Sequence, residues 1–173
     1  YRFNDSKIEA LLFQHHTRQQ SAVHLAPPPD SLDLSRISGM DYLIHGFVPD
    51  NDQTLLFGDA GSGKTTAALA MVIALLLGIG MLDHVQPARL GKVLFIASDS
   101  GASPLYAAMQ DMGIADLPEA QQGPDQRLFV WASDPEQGMQ AWSADLRGCI
   151  RLLEFVKRHQ IDLVIIDSCK AVC

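Results

Sequence analysis

Residues 58 to 65 run Gly58-Asp59-Ala60-Gly61-Ser62-Gly63-Lys64-Thr65, a complete match to the spacing G-x-x-x-x-G-K-[ST]. The chemistry that such a spacing serves is the capture of phosphate. Backbone N–H groups of a glycine-rich turn converge on an anion, and the helix that follows turns its positive dipole end toward the same charge. Glycine at positions 58, 61 and 63 permits backbone angles and close approach that a Cβ hinders. Lys64 is the residue to reach the β and γ phosphates, and the Thr65 hydroxyl is the one to help hold Mg²⁺. The bland alternative is an ordinary glycine-rich turn between a strand and a helix. The completeness of the pattern, between the apolar run Leu55-Leu56-Phe57 and a long helix-forming run, favours the phosphate reading. The expected ligand is a nucleoside triphosphate with Mg²⁺.

A metal-side carboxylate is expected far downstream, where Leu163-Val164-Ile165-Ile166 runs into Asp167. Four apolar residues bury a strand, and the acid emerges at its C-terminal end, the edge at which open α/β sheets bind ligands. Many strands end at an Asp that merely starts a turn, so the reading draws its force from the phosphate loop upstream. Asp99, at the end of the apolar run Val93-Leu94-Phe95-Ile96-Ala97, is the candidate to orient or deprotonate an attacking water. Ser98-Asp99-Ser100-Gly101 is equally good turn chemistry. Asp59 is read as solvent-facing, and Arg151 and Lys170 as surface charge rather than phosphate contacts.

The elements that must position these groups follow from periodicity and punctuation. A strand is expected over residues 53–57, then a helix over 65–77 that is apolar almost all round and stops at Gly78 and Gly80. A second strand is expected over 92–97 and a helix over 104–112, capped by Ser103 and closed by Gly113. Residues 116–126 read as a surface loop, 128–132 as a third strand, and 145–159 as an amphipathic helix. That last helix is expected to turn Leu146, Ile150, Leu153 and Val156 inward. Continuous β-branched runs between helices imply strands covered on both faces, hence a mainly parallel α/β sheet. Upstream, Ser6-Lys7-Ile8-Glu9 fits a capping box opening a helix over 6–24, and Pro27-Pro28-Pro29 forms a stiff spacer. The division expected is an arm over 1–26, a linker over 27–40 and a core over 41–173. His15 and His16 are adjacent, so on a helix they point apart and read as solvated or partner-facing rather than metal ligands.

Composition narrows the class. The 173 residues are 47% hydrophobic and 19% charged, in the range of a globular domain with a substantial core. The longest apolar stretch falls short of the roughly 20 residues of a membrane span, so no membrane role is expected. The net charge of −7 lacks the basic footprint of a dedicated duplex binder, though a ring that touches single strands through a few loops remains compatible. Cys149, Cys169 and Cys173 form no C-x-x-C pair, and reduced thiols in a cytoplasmic protein are the expectation.

Leu43-Ile44-His45-Gly46-Phe47-Val48-Pro49, then Leu55 through Thr66 and an Ala/Leu-rich helix, resembles the RecA-like ATPases of the RepA type. These are hexameric replicative helicases of plasmids and phages, with their primase-helicase relatives. The resemblance covers about residues 40 to 170 and implies a RecA-like P-loop NTPase fold. It implies that Lys64, Thr65 and Thr66 belong to the nucleotide site with the loop before them, that Asp167 supports the metal, and that the water-activating acid falls on Asp99. The family usually carries Glu there; the Asp carboxylate sits a methylene farther back, and small misplacements are costly in catalysis. In that fold the strand between the P-loop strand and the Asp167 strand comes later in the chain, so the core is expected to be C-terminally incomplete here. The resemblance also implies a ring-shaped homo-oligomer and contacts to single-stranded DNA through segments not contained in these residues. A motor core of a replicative helicase or primase-helicase is therefore the expected function. A recombination or repair ATPase of the same fold, and an ATP-binding switch or scaffold with little turnover, are the alternatives. A small-molecule kinase fits less well, since no Arg-rich lid segment follows the second strand.

Overall fold

The computed structural model describes residues 39–81, 85–98, 101–136, 138 and 140–167. Apart from Gly39 these belong to one compact unit, Met40–Cys173. The arm, the proline spacer, His15, His16, Asp99, Lys170, Cys169 and Cys173 lie outside the described residues.

Three strands form a wholly parallel sheet: β3 (Val93–Ala97), β4 (Leu128–Ala132) and β5 (Leu163–Asp167), in the order β4-β3-β5. A short antiparallel pair, β1 (Tyr42–Ile44) and β2 (Val48–Pro49), precedes them. The helices are α1 (Lys64–Leu77), α2 (Ala102–Asp111) and α3 (Leu146–His159). All five residues of β3 are buried, as a central strand with a layer on each face requires. Pleating sends Val93, Phe95 and Ala97 into one cluster with Leu69, Val72 and Leu75 of α1 and Leu105 and Met109 of α2. On the other face β4 offers Phe129 and Trp131, whose rings lie 5.4 and 5.0 Å from that of Phe155 on α3, both edge-on. This two-sided cover is what right-handed crossovers demand when β3 steps one way to β4 and β4 steps back past it to β5.

Three local expectations need correction. Residues 53–57 form no strand: Leu55 is 76% and Phe57 85% exposed. A strand exists only as part of a ladder, and no partner lies beside this segment among the described residues. Helix α2 begins at Ala102 behind Gly101, with no side-chain cap, so Ser103 lies inside the first turn. On α3, Leu146, Ile150 and Leu153 face outward, and the face bearing Phe155 and His159 meets the sheet instead. Phe129 and Trp131 of β4 supply aromatic partners to Phe155 and His159, and that contact fixes which face of the helix meets the sheet. Helix α1 forms as expected: seven of its residues are buried, and it ends at Gly78, whose φ of +70° lets its N–H reach back to Ala74 O.

Candidate functional site

The loop before α1 has the conformation its glycines allow. Gly61 and Gly63 hold φ at +77° and +86°, the left-handed region that side chains resist. At Gly58 the constraint is contact, because an added Cβ would stand 2.8 Å from Ser62 Oγ. The Lys64 ammonium folds back over the loop and donates to Gly58 O at 2.9 Å and Asp59 O at 2.7 Å. It thereby ties the loop into a ring around its own charge. Helix α1 starts without a side-chain cap and with no acid in its first turn. Among the described residues, the N–H groups of Gly63, Lys64 and Thr65 meet no acceptor. Uncapped N–H groups at an exposed helix start, with a cation beside them, form an anion-binding concavity. Asp59, Ala60, Gly61, Ser62 and Gly63 are exposed around it, and Thr66 follows in the first turn of the helix.

The carboxylate expected on the metal side arrives at the same place. Thr65 Oγ donates to Asp167 Oδ2 at 2.6 Å, a contact between residues 102 positions apart. Both are half-buried. Register explains the meeting: Asp167 pairs with Ala97 at the C-terminal end of the sheet, and pleating turns it to the face that carries α1. Its backbone O accepts from Ser98 N–H at 2.9 Å, which pins the strand end. Ser98 is the last described residue before Asp99, and the position of Asp99 itself falls outside the described residues.

A hydroxyl and a carboxylate in contact are hard oxygen donors of the kind Mg²⁺ takes, usually one or two from protein with the remainder from phosphate and water. The donor set therefore fits the ion in the company of a triphosphate. No group of three or more His, Cys, Asp or Glu able to hold a metal occurs among the described residues. No helix among them is long and apolar enough to cross a membrane.

At the opposite end of the sheet, Arg89 bridges Asp50 at 3.1 Å and Asp162 at 3.3 Å, and Asp162 also accepts from Lys92 N–H. The Asp50 hydrogen bond leads the interactions that raise the Arg89 pKa above its ordinary value. This clamp joins the segment after β2 to the start of β5 and has no part in the phosphate loop.

Sequence reasoning missed one grouping. Trp131, Trp142 and Arg151 line a common cavity with Gln140, and Arg151 had been read alone as surface charge. The available signal was that the only two tryptophans stand eleven positions apart, on either side of a turn-forming stretch that contains Asp134, Pro135 and Gly138.

A family model described as an AAA domain matches residues 15–173. No curated protein and no solved structure matches the chain.

Proposed function

The chain belongs to the AAA domain family, and from that premise we propose that it binds and hydrolyses ATP as the motor core of a replicative helicase or primase-helicase of the RepA type. Membership makes it an ATPase domain, and its parallel sheet between helices is a RecA-like α/β P-loop fold. The observation that supports the reading is the 2.6 Å contact between Thr65 and Asp167, which sets the helix start after the phosphate-loop motif against the end of β5.

In this reading the free N–H groups at the start of α1 receive the phosphates, and Lys64 exchanges its loop carbonyls for phosphate oxygens. Thr65 and Asp167 would hold Mg²⁺, whose chemistry when bound is to neutralise charge on the phosphates. Asp99 orients the attacking water and accepts its proton. A homo-oligomeric ring acting on single-stranded DNA completes the proposal, with residues 1–26 as an arm, 27–40 as a linker and a cytoplasmic setting.

Phosphate release by the full-length protein, with and without single-stranded DNA, tests it. Lys64→Ala should lower kcat by about 10²-fold or more, the scale of losing one charge-stabilising donor. Unchanged turnover in that variant would overturn the assigned site. Turnover that DNA fails to stimulate would leave the ATPase and remove the motor. ATP binding without turnover would make the protein a switch, a result that the short carboxylate at position 99 would explain.

A further inference from the structure

At the C-terminal end of β4 the chain encloses a second concavity, independent of the phosphate loop. Its volume is about 320 Å³, and its walls are Trp131, Gly138, Gln140, Ala141, Trp142 and Arg151. That size is at the lower limit of small-molecule sites, which run from about 300 to 1,000 Å³. Both tryptophans of the 173-residue chain stand in this one cavity. Their indoles are held from behind. Trp131 packs edge-on against Phe155 with ring centres 5.0 Å apart, and Trp142 Nε1–H donates to Gly148 O at 3.1 Å. The single polar hydrogen of Trp142 is thereby spent, and what it brings to the cavity is ring surface.

Arg151 supplies the charge. It is exposed and forms no ion pair among the described residues. Asp145, the acid whose field it feels, is already engaged by Gly148 N–H at 2.7 Å and the Ser143 hydroxyl at 2.9 Å. Gln140 adds an amide able both to donate and to accept. Aromatic faces, a planar cation and an amide together are the features that hold a stacked base and its phosphate. Trp131 pairs with Ile96, one row before the Ala97–Asp167 pair, so pleating turns it to the face opposite Asp167. β4 is also two strands from β5, roughly 10 Å at the usual strand spacing, so the two sites are separate.

We propose that this cavity binds a nucleotide unit, with its base stacked on the Trp131 and Trp142 indoles and its phosphate paired with Arg151. The unit can come from a single strand or from a free mononucleotide, since both present the same base and phosphate. Intrinsic fluorescence reports on the site directly, because no tryptophan lies elsewhere. The whole chain is titrated in EDTA with short oligothymidylate and, separately, with thymidine monophosphate. Saturable quenching is expected, retained in Lys64→Ala and weakened about 10- to 100-fold in Arg151→Gln, the value of a hydrogen bond to a charged group. Arg151→Gln should keep the wild-type circular dichroism spectrum and ATP turnover. Tighter binding of the oligonucleotide assigns the site to a strand, and equal affinities assign it to the mononucleotide. No quenching by either ligand, quenching lost in Lys64→Ala, or unchanged affinity in Arg151→Gln would each overturn the proposal. Loss of turnover in Lys64→Ala alongside retained quenching would show the two sites to be separate.

Discussion

Asp167 is half-buried, and the Thr65 hydroxyl is its one side-chain donor among the described residues. Removing that hydroxyl leaves the carboxylate without compensation where water reaches it poorly. Thr65→Val should therefore cost about 1–2 kcal/mol in urea unfolding of the nucleotide-free protein. With Thr65 and Asp167 as the proposed Mg²⁺ ligands, it should also weaken the Mg²⁺ dependence of ATP binding. A variant as stable as the wild type would show that solvent already satisfies Asp167. At this scale the sequence was informative. The positive-φ turn at Gly61 and Gly63 and the place of Asp167 at a strand end were readable, because the loop spacing is local and an acid after an apolar strand has a fixed address. Their meeting at 2.6 Å was not readable, because it depends on the register of β3 with β5.

Among the elements, α3 shows what periodicity can and cannot decide. Its start was legible. Asp145 caps it by accepting from Gly148 N–H, and the last turn carries Lys157, Arg158 and His159 toward the negative dipole end. Its buried face was misread, because Leu146, Ile150 and Leu153 also recur at helical spacing and only the aromatic residues on β4 settle the rotation. The strand expected over 53–57 failed for a related reason: apolar composition promises burial but does not supply a neighbour. The cap yields a pH prediction. Gly148 N–H first, and then the Ser143 hydroxyl, hold the Asp145 carboxyl below the usual carboxylate range. A depressed folded pKa contributes stability above the unfolded value, and that stability is lost as pH falls through the folded value. Asn caps comparably and does not titrate. Melting curves of wild type and Asp145→Asn should converge or cross as the pH drops below that range, with the wild type losing more. Parallel curves throughout would show that the charge at the cap adds nothing.

Across the described unit, the buried core centres on β3, and the proposed nucleotide site lies at one rim. Phe95 is fully buried at the centre of the sheet, whereas Phe57 is 85% exposed beside the phosphate loop. Phe95→Ala should cost about 3–5 kcal/mol in chemical denaturation, and Phe57→Ser should stay within about 0.5 kcal/mol. Comparable losses at the two positions would mean that the segment over 53–57 is covered in solution. The three strands of the main sheet run in one direction, so the sheet has a polarity. Asp167, the phosphate loop and the tryptophan cavity share the forward end, while the Arg89 clamp closes the rear. Exposed Lys157, in the last turn of α3, lies toward that rear. A bead or an optical label tethered there would leave both proposed sites facing the solution, so the protein can be held fast while ligand reaches them freely.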